Sequence, residues 1–211
     1  VVLLGQKRIL SLVTVSEVLG VFGKKAGGFS FSLKDYWRHS VTTAMVAESI
    51  ARHGAHGEGV EAEEVFSAGI LHDIGKLAVG WFDPELMAQT VRTAGESGSP
   101  FHAVEKPELS HWAVGGALLD KWYFPEDLTR AVRGHHDPSG VGEGDPLVAI
   151  VHLSDIAAHI LGFQTVAGEV ISGFDSASVD RVQLTPERLK VIAQTVLADQ
   201  QRIEGVLGAL T

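Results

Sequence analysis

The residues with chemistry in them are scattered along the chain but of two kinds. His39, the adjacent pair His72-Asp73, His111, the adjacent pair His135-His136 and Asp155 all fall within helical, mainly apolar stretches. Imidazole nitrogen and carboxylate oxygen together suit divalent Fe, Mn, Co or Zn. A donor count above four points to two ions sharing one carboxylate, with Asp73 as the bridge. Asp155 makes the case from burial: it lies in Ile150-Val151-His152-Leu153-Ser154-Asp155-Ile156, and a carboxylate carried into an apolar interior needs a partner. His72-Asp73 closes a helix whose register Val65, Phe66, Ala68, Gly69, Leu71 turns both side chains inward.

Several further groups have two readings each. Asp35 stands four residues before His39 on the same helical face, where the two could grip one cation; it is equally the acid of a Ser32-Leu33-Lys34-Asp35 capping box. Lys76, one turn beyond the His-Asp pair, could hold a substrate phosphate and stabilise charge developing on oxygen, or serve as a helix C-terminal cation. The Gly/Ser/Pro loop over 97–107, with Phe101 and His102, is long enough to cover a site and equally an idle excursion. His152 and His159 lie one turn either side of Asp155 and read as supporting or solvent-facing groups, and His53 and His56 as solvent residues of a Gly-rich loop. Adjacent helical residues point about 100° apart, so His135 and His136 could serve two ions, or one ion and its surroundings; their other reading is a polar helix terminus.

The elements that must position these groups all read as helices, which makes the fold class all-α. Apolar spacing predicts a helix over 1–22, followed by a flexible connection over 23–31 with Lys24, Lys25 and Gly27-Gly28. Ser32 starts a helix through about Arg52, and Glu61, Glu63 and Glu64 suit the positive end of the helix leading to His72. Asp83-Pro84 caps a helix through about Gly95. Another begins near Glu108, with His111 in its first turn and Gly115-Gly116 permitting close approach of a neighbour. The next runs from Pro125 to His136. Asp145-Pro146 caps a helix over 147–161, residues 162–173 are irregular with a weak strand candidate over 163–170, and Thr185-Pro186 caps a last helix carrying Leu189 to Leu207.

Bulk properties narrow the function classes. A formal charge of −9 and the lack of any Lys/Arg cluster argue against a nucleic-acid surface, but leave room for a phosphorylated small molecule if metals supply positive charge. Without cysteine there are no disulfides, thiolate sites or Cys nucleophiles. With 45% apolar and 20% charged residues across 211 positions, the expectation is one compact, soluble, cytoplasmic unit with no membrane span. The chain opens at Val1 with no initiator Met and no signal peptide, and reads as a piece of something longer.

The order His39, His72-Asp73, Asp155 resembles the HD superfamily of metal-dependent phosphohydrolases. Asp35-Tyr36-Trp37-Arg38-His39-Ser40, Leu71-His72-Asp73-Ile74-Gly75-Lys76, His111 followed by Gly115, Leu118, Leu119 and Trp122-Tyr123-Phe124-Pro125, and Asp155-Ile156-Ala157-Ala158-His159 are similar to the HDOD (HD-related output domain) branch, as is the opening Val1-Val2-Leu3-Leu4-Gly5-Gln6-Lys7-Arg8. The likeness covers roughly residues 1–163, leaving 164–211 as a C-terminal extension that ends in a packed helix. It implies an HD-superfamily helical bundle whose N-terminal helices are missing here. His111 and His135-His136 resemble the ligand set of the HD-GYP phosphodiesterases, which cleave cyclic di-GMP and in which a carboxylate at the place of Asp35 can hold an extra metal. After His136, however, Asp137-Pro138-Ser139-Gly140-Val141-Gly142 lacks the Gly-Tyr-Pro signature.

Three functional expectations follow. One is a bacterial signalling phosphohydrolase that binds two divalent ions, Fe or Mn foremost and Mg, Ni, Co or Zn as other candidates, through His39, His72, Asp73, His111, His135, His136 and Asp155. Asp73 would bridge and orient the attacking water, Lys76 would neutralise a phosphate oxygen, and a nucleotide or cyclic dinucleotide would be the substrate. Another is a catalytically silent output module that keeps the fold, and the metal with it, and acts through protein partners. The third is a di-iron oxygenase or oxygen sensor on the same scaffold.

Overall fold

The computed structural model describes residues 29–53, 60–140, 144–199, 203–205 and 208. The helix expected over 1–22, most of the connection after it, the opening motif and His56 lie outside the described residues. Within them every regular element is helical and no strand forms, so the weak candidate over 163–170 is irregular chain.

Helix α1 (Leu33–His53) starts where Ser32 Oγ accepts the Asp35 amide at 3.2 Å. From Tyr36 to Ile50 it is buried apart from Arg38, because it packs on α2 (Ala62–Leu71), α8 (Pro146–Ile160) and α10 (Pro186–Ala198). Every residue of α8 from Leu147 to His159 is buried, including the polar His152, Ser154, Asp155 and His159. Asp145 caps it by accepting the amides of Leu147 (2.9 Å) and Val148 (3.2 Å), with Pro146 in the first turn.

Between these lie α3 (Ile74–Phe82), α4 (Pro84–Ser97), the short α5 (Phe101–Val104), α6 (His111–Lys121) and α7 (Glu126–Gly134). Helix α4 runs past Gly95 to Ser97 and stops at Gly98, whose φ of 61° is the left-handed conformation that glycine adopts without strain. Helix α6 begins at His111 rather than near Glu108, because Ser110 is its N-cap and residues Pro107–Leu109 form a separate 3-10 turn. The 97–107 stretch is not an idle excursion: α5 lies within it, and Phe101 is buried beside Met87, Val79 and Val166. A further helix, α9 (Ser176–Val182), for which the sequence carries no clear apolar period, precedes α10. Val182, Leu184, Ile192, Val196 and Ile203 join the same core as α1 and α8. Helix α10 ends at Ala198, residues 203–205 are again helical, and 200–202 and 206–207 lie outside the described residues.

Two glycines let the backbones around the His-Asp turn meet. A Cβ on Gly69 would lie 2.6 Å from Ala44 Cα on α1, and a Cβ on Gly75 would lie 1.9 Å from the carbonyl oxygen of His111. The second contact locks the start of α3 against the start of α6, bringing Asp73 and His111 together. Gly75→Ala is expected to cost about 1–3 kcal/mol or more of unfolding free energy through overpacking. Gly95→Ala, in a helix with nothing within 4 Å of the added methyl, should be neutral or slightly stabilising. Urea unfolding of both variants checks the contrast.

Candidate metal centre

His39 rises from α1, His72 and Asp73 form the turn between α2 and α3, and His111 opens α6. His135 is the C-cap of α7, His136 follows it in a turn, and Asp155 comes from the middle of α8. The fold gathers all of them. His39, His72, His111 and His135 have no solvent exposure, Asp73 has 1% and Asp155 4%.

The donors form two halves around Asp73. On one side His39 Nε2 lies 3.1 Å from His72 Nε2 and 3.1 Å from Asp155 Oδ1, and these two imidazoles are 3.7 and 3.5 Å from Asp73 Oδ2. On the other side His111 Nε2 lies 3.3 Å from His135 Nε2, 2.9 Å from His136 Nε2 and 3.3 Å from Asp73 Oδ1. Asp73 thus turns one oxygen to each half. His135 and His136, in the turn that follows α7, both face His111.

The opposite ring nitrogens decide what the Nε2 atoms can do. His72 Nδ1 donates to the carbonyl of Gly69 at 2.8 Å, His135 Nδ1 to that of Val132 at 2.7 Å, and His39 Nδ1 to that of Phe163 at 2.9 Å. A carbonyl oxygen can only accept, so each Nδ1 carries the hydrogen, and the neutral form of each ring has its lone pair at Nε2. His111 is held the same way by a carboxylate, Glu105 Oε2, at 2.6 Å.

Bare lone pairs facing one another at these distances repel unless something positive lies among them. Two donors about 2.1 Å from one ion and separated by about 90–110° are themselves about 3.0–3.4 Å apart. The separations here match that spacing, so the donor set fits a metal. Among the described residues, the His/Asp groupings able to hold an ion are Asp73-His111-His135-His136, His39-His72-Asp73, His72-His135-Asp155 and His39-Asp155-His159.

Charge states agree. Burial first, then the neighbouring imidazoles, push His135 and His136 well below the usual histidine range, leaving both neutral at pH 7 with lone pairs free. Burial alone would raise Asp73, but the Lys76 ammonium beside it, foremost among its neighbours, holds it well below the ordinary carboxylate range. Asp155 is likewise held down against its burial, chiefly by His159. Lys76 is 2% exposed, its Nζ 2.8 Å from Asp73 Oδ2 and 5.2 Å above the Phe101 ring, and Asp73, Glu169 and Asp155 keep it charged against desolvation.

Some residues fall differently from the sequence expectation. Asp35 is exposed, belongs to none of these groupings and occupies the first turn of α1. His159 is buried with Nε2 3.2 Å from Asp155 Oδ1. His152 is buried too, donating from Nδ1 to the carbonyl of His135 (2.7 Å) and accepting the Asp175 amide at Nε2 (3.1 Å), which ties the ligand turn to the start of α9. His102 stacks on His136 with ring centroids 4.1 Å apart. Glu105 carried no signal in periodicity or motif, since it reaches His111 across a loop.

Two outcomes are expected. Asp35→Ala should leave metal content unchanged and shift stability by no more than about 0.3–1 kcal/mol, the value of an acid in a first helical turn, as read by elemental analysis and thermal melting. For the chelated protein, the sign follows from His135 and His136 being depressed: below about pH 6.5 the unfolded chain binds more protons than the folded one. Stability should therefore be full above about pH 7, fall as pH drops through 6, and fall again below about pH 4 as Asp73 and Asp155 lose their contribution. Urea midpoints between pH 8 and 3.5 read this directly.

Comparison with known proteins places this geometry in a lineage. Residues 1–138 match the family model described as HDOD domain. An uncharacterized protein of Treponema pallidum (strain Nichols) is 24% identical over 166 residues, and the match covers 77% of this chain but 31% of that protein. Similar solved structures include a provisionally named signal transduction protein from Marinobacter aquaeolei VT8, with TM-score 0.70 and 20% identity over 87% of this chain and 40% of the other. An HDOD domain protein with unknown function from Geobacter sulfurreducens gives TM-score 0.66 and 22% identity over 89% and 66%. A provisionally named phosphohydrolase from Shewanella amazonensis SB2B gives TM-score 0.64 and 19% identity over 97% and 81%. The chain therefore spans well under half the length of the Treponema and Marinobacter proteins. Among the described residues no helix is long and apolar enough to cross a membrane. With a family match over most of its length and an all-α, HD-like arrangement of helices around a buried His/Asp cluster, this chain belongs to the HDOD family.

Proposed function

We propose that this HDOD domain is a bacterial signalling module and a metal-dependent phosphohydrolase, its centre held by His39, His72, Asp73, His111, His135, His136 and Asp155, acting on a nucleotide or cyclic dinucleotide. The observation that carries the reading is the convergence of imidazole Nε2 atoms, 2.9 to 3.3 Å apart, on the two oxygens of Asp73. Two divalent cations, Fe or Mn foremost and Mg, Ni, Co or Zn as other candidates, supply Lewis acidity toward a phosphate ester and make water a nucleophile at neutral pH. The chain's own residues do the rest. Asp73, kept anionic by Lys76, offers one oxygen to each half of the centre and orients the attacking water between them. Lys76 supplies fixed positive charge beside Asp73 for a phosphate oxygen, while Asp155 fixes the far side.

A second reading is favoured by one observation: apart from His136, whose side chain is 14% exposed, the donors are almost wholly enclosed. A centre this closed admits substrate only if the cover moves. A module that keeps the metal for folding and signals through protein partners needs no such opening.

Anaerobic purification followed by elemental analysis, then hydrolysis assays on cyclic dinucleotides and bis(p-nitrophenyl) phosphate, separates the two. Catalysis predicts close to two metals per chain and turnover abolished by His72→Ala and Asp73→Asn. Metal in the parent protein with no turnover to lose overturns the enzyme reading in favour of the silent module.

A further inference from the structure

We infer that Glu105 is the positioning residue of the His111 half of the centre: it sets the tautomer of that ligand and completes the charge of that half. The inference rests on the metal reading above and adds a residue to it. Glu105 is the C-cap of α5, six residues before His111, and its side chain is 4% exposed. One oxygen accepts the backbone amide of His111 at 2.9 Å and the other accepts Nδ1 of the same residue at 2.6 Å. The carboxylate therefore grips backbone and ring at once, fixing both where α6 starts and which way the imidazole faces.

The charge inventory explains why a carboxylate stands here. The rings of His39, His72 and His135 are held by backbone carbonyls, and His111 by an ionisable side chain. The His39-His72 half has Asp155 as its own carboxylate in addition to the shared Asp73. The other half has three imidazoles and only the shared oxygen. Glu105 supplies the missing negative charge one bond network further out and makes the His111 Nε2 a stronger donor through its Nδ1–H. The same five residues deliver Phe101 beneath Lys76 and His102 onto His136, so the 101–105 segment is a clip that supports this half of the centre.

Glu105→Gln tests it. An amide must place its NH2 toward one of the two His111 donors; with its oxygen on the backbone amide, the NH2 donates to Nδ1 and moves the ring hydrogen to Nε2, which blocks that donor. The first readout is nitrogen NMR of the histidine rings in the metal-free full chain. His111 is expected to switch from the Nδ1–H to the Nε2–H form, while His72 and His135 stay unchanged. The second is titration with Mn2+ alone, free Mn2+ being read by EPR: one of two sites should weaken by about 10–100-fold and the other change little. Ser110→Ala is the control for a merely structural role, since Ser110 caps the same helix end through the Ala113 amide at 3.4 Å without touching the ring. It should lower the melting temperature and leave tautomer and both Mn2+ affinities intact. An unchanged His111 tautomer in Glu105→Gln, or equal weakening of Mn2+ binding in Ser110→Ala, overturns the assignment. If the parent protein takes up no Mn2+, the metal reading fails, and the ring NMR still decides the part played by Glu105.

Discussion

Nearly everything about this centre depends on a constraint at the side of the imidazoles that faces away from it. When Nδ1 donates to a fixed carbonyl or carboxylate, the ring can neither flip nor change tautomer without losing a buried hydrogen bond. Each Nε2 then presents a lone pair inward, and several lone pairs confined in a space closed to solvent form a site whose electrostatics are unfavourable until a cation is present. Asp73 and Asp155 add negative charge to that demand, and Lys76 offsets part of it. The cluster is thus pre-formed by its surroundings, at some expense to the stability of the metal-free protein.

Holding such a cluster requires backbones closer than side chains normally allow. Gly69 and Gly75 sit at the two positions where α2 and α3 touch α1 and the start of α6, on either side of the His-Asp pair. The turn is so short that displacing either contact would move His72 and Asp73 relative to His39 and His111. Packing and chemistry share the same few ångströms, which is why the pair lies between two glycines rather than within a continuous helix.

The part of the chain beyond the family match is woven into the same centre. The match ends at residue 138, yet Asp155 is a donor, the carbonyl of Phe163 orients His39, and the amide of Asp175 binds the His152 ring that supports His135. Val182, Leu184, Ile192 and Val196 close the core from that side. Division at residue 163 into a metal-binding unit and an extension is therefore a division of sequence resemblance, and the apolar contacts run across it.

The sequence by itself determined most of the helices and their caps, because these depend on neighbours a few residues away. Ser32, Asp83, Asp145 and Thr185 cap helices within three residues of themselves, and His72 and His135 bond the carbonyl three residues back at a helix end, a short-range device. Tertiary structure alone decided what joins residues far apart. It left Asp35 in solvent, turned both His135 and His136 onto His111, and set Glu105 behind His111 and Phe163 behind His39. No periodicity encodes those pairings. A helical register shows which face is buried, whereas the partner a buried polar group meets depends on how separate helices pack, and that is settled by the whole core at once.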